Sequence, residues 1–141
     1  MTPTATDHPP LPVVTPLTRF FWDGLAERRL MFLRCRGCGH FVHLPRPICN
    51  RCRSADLVPT EVEGTGFLYA YTVTVQAFHP FYVDKVPYVV AVVELDAEPG
   101  LRLTTQIVDC PERDLRTGLR VELAWTDVAS DLTLPYFRPT R

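Results

Sequence analysis

From residue 61 onward, apolar residues recur at every second position, the period of strands with one face on a core. Residues 66–76 predict a strand with Phe67, Tyr69, Tyr71, Val73 and Val75 on one face. Residues 87–95 are almost continuously apolar, which predicts a central strand covered on both faces. A turn over 96–100 leads to a third strand over 101–108, and 111–118 form a connection holding at most one helical turn. Residues 120–127 alternate, with Val121, Leu123 and Trp125 inward, and 134–138 supply a fifth strand. The fold class expected is therefore mainly β, with a small closed barrel of the five-stranded Greek-key OB type; an open sandwich is the competing arrangement.

The first sixty residues follow other rules. Residues 1–14, with Pro3, Pro9, Pro10 and Pro12, read as an extended, flexible arm. Thr15 followed by Pro16 is a helix start, with threonine as N-cap and proline in the first turn. Leu17, Phe20, Phe21, Gly24 and Leu25 then keep a helical spacing, and Trp22 falls beside that stripe. So short and aromatic a helix either docks on a partner or covers its own core. Residues 28–34 alternate as a strand leading into a cysteine-bearing segment over 35–54, which Pro45 and Pro47 stiffen. The expected division is an arm over 1–14, a docking helix with a metal ribbon over 15–58, and a barrel over 59–141.

Composition sharpens this only in places. With 141 residues, 46% hydrophobic and 22% charged, the chain has material for one core and a small module. No apolar h-region stands at the N-terminus, and the longest strongly apolar run, 88–93, is far too short for a bilayer. A cytoplasmic protein is expected, where paired cysteines bind metal more often than they form disulfides. The net charge of -1 names no partner, but residues 28–53 hold seven arginines and no acid. Those arginines either offset metal-bound thiolates or form a patch facing phosphates or carboxylates. Lys85 is the single lysine among fifteen basic residues, a bias that suits bidentate contacts and equally follows from genome composition.

The strongest chemical signal is Cys35-Arg-Gly-Cys38-Gly39 and, ten residues on from Gly39, Cys49-Asn-Arg-Cys52. Two C-x-x-C knuckles place four thiolates around one ion, and a tetrahedral four-sulfur site takes zinc or iron. With every position filled by cysteine, none is left for water, so the expected Zn2+ is structural. Gly39 suits the positive φ that follows a knuckle; its counterpart is Arg53, a less suitable residue. His40 and His43 lie inside the module as neighbours of the shell. Cys110 stands alone and reads as an inert thiol. The carboxylates Glu61, Glu63, Glu94, Asp96 and Glu98 read as solvated edge groups. No nucleophile elbow, zincin, phosphate-loop or dinucleotide motif is present. Phe78, His79, Phe81, Tyr82 and Lys85 cluster between the first two barrel strands, where they either form a stacking or docking surface or tuck beneath the rim.

Taken together, these residues resemble a known family of bacterial and archaeal proteins with a rubredoxin-like zinc ribbon before an OB-fold. The resemblance covers residues 17–139. Its marks are Phe21-Trp22-Asp23-Gly24-Leu25, Cys35-x-x-Cys38-Gly39, Pro45-Arg46-Pro47-x-Cys49-x-x-Cys52, Gly64-x-Gly66, Tyr71-Thr72-Val73, the run from Pro87 to Leu95, Gly118-x-x-Val121 and Phe137-Arg138-Pro139. Arg53 departs from the family pattern, which has glycine there.

The resemblance implies a non-catalytic accessory subunit of a thiolase-superfamily acyl-CoA enzyme. In one branch such proteins bridge acetoacetyl-CoA thiolase and HMG-CoA synthase. In another they pair with lipid-transfer-protein-like aldolases that shorten steroid side chains, with fusion in some cases to an enoyl-CoA hydratase. This chain carries no hydratase domain and would act alone or as a module. The aromatic loop at 78–85 favours the retro-aldolase branch. The residues expected to contact a ligand or partner are Phe21, Trp22, Arg46, Phe78, His79, Phe81, Tyr82 and Lys85, with a CoA thioester as the bound substrate and its phosphates near Arg46. The alternatives are a zinc-ribbon and OB-fold nucleic-acid binder, disfavoured by the net charge of -6 over residues 54–141, and iron-based electron transfer.

Overall fold

A computed structural model describes residues 7–141. Residues 1–6 of the expected arm lie outside the described residues. Residues 7–14 have no regular secondary structure, yet Pro9 is buried, and Leu11, Pro12 and Val14 border a hollow shared with Trp22 and Leu132.

The N-cap of the regular helix is Thr18 and not the expected Thr15, and it makes no side-chain cap hydrogen bond; Thr15 and Thr18 instead close the turn that precedes the helix. The Thr15 hydroxyl accepts from the Thr18 N–H at 3.3 Å, and the Thr18 hydroxyl accepts from the Thr15 N–H at 3.1 Å. After that turn comes the regular helix α1, Arg19–Ala26. It ends in a Schellman motif: Arg28 N–H donates to the Leu25 carbonyl, Arg29 N–H donates to the Gly24 carbonyl, and Arg28 takes a left-handed φ of 57°. Leu25 is buried, and Trp22, expected beside the stripe, packs against the core with Phe21. The helix covers this chain's own core, touching the first ribbon strand and the last barrel strand.

The ribbon is a three-stranded antiparallel sheet of β1 (Met31–Cys35), β2 (Phe41–Val42) and β3 (Leu57–Glu61), in the order β2-β1-β3. Its pairing runs from Cys35↔Leu57 to Met31↔Glu61, so the sheet continues three residues past the boundary expected at 58. Neither β2 nor β3 stands out in the sequence, because each is too short to show a period.

The barrel is closed and built from β4 (Thr65–Thr74), β5 (Tyr88–Leu95), β6 (Arg102–Ile107), β7 (Arg120–Ala129) and β8 (Leu132–Pro139). The order is β4-β5-β6-β8-β7, with antiparallel neighbours except at β6–β8, which meet in parallel at Ile107↔Phe137. This is the OB-type closure, and the open sandwich is excluded. Gly66 permits it locally: a Cβ there would run into the Glu94 carbonyl oxygen.

Two expectations are corrected. The single aromatic face of β4 does not exist, because a bulge falls between Leu68 and Ala70. Leu68 faces in opposite Val93, while beyond the bulge Tyr71 and Val73 stand opposite Ala91 and Val89, so the inward set changes parity. Strand β5 is central, but Ala91, Val93 and Leu95 are buried while Tyr88, Val90, Val92 and Glu94 are only half-buried. A barrel strand has one outer face, here partly covered and therefore still apolar.

One continuous core joins the parts. Leu25, Leu30, Phe32 and Phe41, from the helix and ribbon, pack with Leu68, Val93, Val121 and Phe137 of the barrel.

Candidate metal centre and binding surfaces

The two knuckles repeat one backbone pattern. Cys35 N–H donates to the His40 carbonyl and Gly39 N–H returns to the Cys35 carbonyl, both at 2.8 Å. Cys49 N–H donates to the Ser54 carbonyl at 2.8 Å, and Arg53 N–H returns to the Cys49 carbonyl at 2.9 Å. The residue after each knuckle has a positive φ, 79° at Gly39 and 65° at Arg53. The second knuckle therefore matches the first, with arginine accepting a conformation that glycine adopts freely.

The four Sγ atoms lie within 4.8 Å of one another, with Cys35–Cys52 at 3.4 Å and Cys38–Cys49 at 3.8 Å. A tetrahedron with metal–sulfur bonds of about 2.3 Å has edges of about 3.8 Å, so the donor set fits one zinc ion. All four are free thiols, too far apart to be disulfides. Cys35 and Cys49 are buried, and Cys38 and Cys52 are exposed.

Backbone amides prepare the sulfurs for charge. The Cys38 N–H does most to lower Cys35 to about 7, and the Cys52 N–H lowers Cys49. Cys52 receives its largest influence from the Ser54 N–H, which lowers it, but Cys35, burial and the two remaining sulfurs together push it up to about 12. Four thiolates cannot accumulate in so small a space without a cation between them.

The carboxylate Glu98, expected to be solvated, ties ribbon to barrel. From the β5–β6 turn it accepts the Phe41 N–H at 3.2 Å and lies 2.9 Å from His40 Nδ1. His43 packs edge-on against Phe32 at 4.9 Å, and burial lowers it to about 4, so it is a neutral ring.

The expected contact residues are not brought together. Phe21 and Trp22 wall a cleft of about 410 Å³ with His43, Leu44, Arg102 and Leu134. Arg46 borders a separate polar hollow near His40 and Glu98 and has no ion pair among the described residues. The aromatic loop divides. Phe78 is 80% exposed, whereas Phe81 is buried, so the loop is not one exposed surface. His79 Nδ1 accepts the Phe81 N–H at 3.2 Å. Lys85 Nζ donates to the Phe81 carbonyl at 3.0 Å and sits 3.9 Å from that ring's centre. Tyr82 stacks on Tyr88 at 4.9 Å and walls a cavity of about 500 Å³ at one end of the barrel. Leu44, Arg102 and Leu134, or Tyr88, Gln106 and Tyr136, show no common local signal, because only barrel closure makes them neighbours.

Fold and site thus define a four-cysteine zinc ribbon joined to an OB-fold barrel. A family model described as the "ChsH2, rubredoxin-like zinc ribbon domain" matches residues 22–58, and one described as the "ChsH2, C-terminal OB-fold domain" matches 59–126. A "DUF35 domain-containing scaffold protein" of Methanocaldococcus jannaschii is 36% identical over 78% of this chain and 77% of its own length. The chain belongs to this ChsH2-type DUF35 family. A "Probable enoyl-CoA hydratase alpha subunit" of Thermomonospora curvata is 38% identical over 92% of this chain, which spans only 40% of that protein's length. Among solved structures, the "Ltp2-ChsH2(DUF35) aldolase" superposes with a TM-score of 0.84 at 37% identity, covering 92% of this chain and 98% of that one. A DUF35 protein of Sulfolobus solfataricus has the same fold, with a TM-score of 0.61 at 15% identity. No helix among the described residues is long and apolar enough to cross a membrane.

Proposed function

We propose that this chain is a non-catalytic accessory subunit of a thiolase-fold acyl-CoA enzyme, of the lipid-transfer-protein-like retro-aldolase kind, acting on a steroid or lipid side-chain thioester in the cytoplasm. The observation that carries the reading is the likeness to a chain of the solved "Ltp2-ChsH2(DUF35) aldolase", which extends over 98% of that chain. The catalytic groups would belong to the partner, and the hydratase name of one relative makes an enoyl-CoA hydratase a further candidate partner.

Within such a complex this chain's residues have distinct tasks. Cys35, Cys38, Cys49 and Cys52 would hold structural zinc, which when bound would crosslink the two knuckles and leave no ligand position open for catalysis. Arg46 is free of internal acids among the described residues, so its planar fork is available to a CoA phosphate. Phe78, the most exposed ring of its loop, offers an apolar contact to the partner or the acyl chain.

The test is affinity purification from the native host followed by mass spectrometry. A thiolase-like protein co-eluting at near-equal stoichiometry is expected, with the complex weakened by Phe78→Ala. Nucleic acid co-eluting in a salt-dependent manner, with no enzyme, would overturn the proposal in favour of the nucleic-acid reading.

A further inference from the structure

The cavity at the end of the barrel carries chemistry that the accessory role does not use. Tyr82 forms the wall between two adjoining hollows, of about 500 Å³ and about 290 Å³, and Tyr88, Gln106 and Tyr136 line both as well. The Tyr82 and Tyr88 rings are stacked, with 28° between their planes, and present a flat aromatic surface. The Tyr82 and Tyr136 phenols both line the cavity and lie close enough to influence one another: burial, and then Tyr82, hold Tyr136 well above the ordinary phenol range. No hydrogen-bond partner for the Gln106 side-chain amide occurs among the described residues. Burial raises both phenols, so each stays a neutral donor across the physiological range.

The charges around the cavity select against anions. Lys85 is engaged by Asp84 and the Phe81 carbonyl, and Asp127 is paired with Arg28. Asp109, also on the rim, has no ion pair among the described residues and leaves the mouth slightly negative. A phosphate-bearing ligand would meet repulsion there.

We infer that this cavity is a binding site for a small, flat, neutral molecule bearing a carbonyl oxygen, which stacks on the Tyr82–Tyr88 pair and accepts a hydrogen bond from Tyr82. Apolar walls with a few convergent polar groups and a volume of this size are what such sites require. Gln106 provides the second polar contact and sets the ligand's orientation. The site belongs to the chain alone and needs no enzyme partner, so its test is independent of the complex.

The experiment uses the zinc-loaded full chain and two naphthalene probes of similar shape, 2-acetylnaphthalene and 2-ethylnaphthalene, followed by amide chemical shifts. The ketone is expected to shift the Gln106 side-chain amide and to bind about 3- to 10-fold more tightly than the hydrocarbon, the range for one neutral hydrogen bond. Tyr82→Phe should bring the two probes to equal affinity, with hydrocarbon binding, zinc content and distant shifts unchanged. Gln106→Leu serves as a second variant and should weaken the ketone selectively. Equal binding of both probes to the unmodified chain would overturn the inference, as would ketone preference surviving Tyr82→Phe. Shifts confined to the Phe21–Trp22 cleft, or no saturable binding of either probe, would overturn it as well.

Discussion

The ribbon and the barrel reach order by different means. The barrel closes on itself, and its core of Leu68, Val93, Leu103, Val121 and Phe137 needs no help from outside the protein. The ribbon's own cluster is Leu33, Val42 and the two buried cysteines, with Phe20 and Leu57 leaning on it. So little apolar surface cannot offset the entropy of ordering two knuckles and three short strands. In the ribbon the metal stands in for a core, whereas in the barrel hydrophobic burial is sufficient. Between them lies a shared layer, Leu25, Leu30, Phe32 and Phe41, through which the barrel also supports the ribbon.

Removing the metal breaks this comparison open most widely. Structural zinc sites of this kind carry apparent binding energies of about 10–16 kcal/mol near neutral pH, which is folding energy for the peptide that holds the ion. Chelation should abolish hydrogen-exchange protection at Cys35, Gly39, Cys49 and Arg53 while leaving β4, β5 and β7 protected. Cys38→Ser should do the same, with loss of zinc stoichiometry. If barrel amides lost protection in parallel, the two regions would be one cooperative unit and the division drawn above would be wrong.

A smaller effect sharpens the account of the seam. His43 packs on Phe32 and Phe21, and burial lowers it to about 4 from an ordinary value of 6.5. The unfolded chain takes up a proton near pH 6.5 that the folded chain refuses until about 4. The stability it contributes is therefore complete above about pH 6.5 and declines as pH falls through that window, by about 3 kcal/mol at most. An NMR titration of the His43 imidazole in the zinc-loaded chain should give a midpoint near 4. A midpoint near 6.5 would mean that the seam admits water.

How legible these regions were differs for the same physical reason. The cysteine spacing encodes the metal site almost completely, because a knuckle is a local structure whose ligands and turn residues are contiguous. The helix start was legible to within one turn, the N-cap falling on Thr18 and not on Thr15. The barrel strands were readable from their period, but the bulge at Tyr69 was not, since one inserted residue leaves the sequence alternation intact while reversing which side faces the core. The role of Glu98 was hidden because its partners, His40 and Phe41, are more than fifty residues away in the chain. The cavity of Tyr82, Tyr88, Gln106 and Tyr136 is assembled by closure from three strands and a loop, and no local pattern marks it. Phe81 and Phe78 look alike in sequence, and only the packing separates a buried anchor from an exposed ring.

The smallest effect tests the ribbon against itself. Gly39 and Arg53 hold the same place in the two knuckles, donate the same return hydrogen bond, and both have positive φ. In glycine that conformation is free of strain, whereas an L side chain there costs about 1–2 kcal/mol from the approach of Cβ to the backbone. Glycine in turn loses more chain entropy on folding, by about 0.5–1 kcal/mol. Arg53→Gly should therefore stabilise the second knuckle by about 0.5–1 kcal/mol, read as slower zinc loss to a competing chelator. Gly39→Ala should act in the opposite direction at the first knuckle. The pair isolates backbone strain, because the Gly39 position is open, its nearest neighbour to a new Cβ being an Arg34 nitrogen at 3.9 Å. If Arg53→Gly instead hastened zinc loss, the arginine side chain would itself be holding the knuckle, and the likeness between the two halves would stop at the backbone.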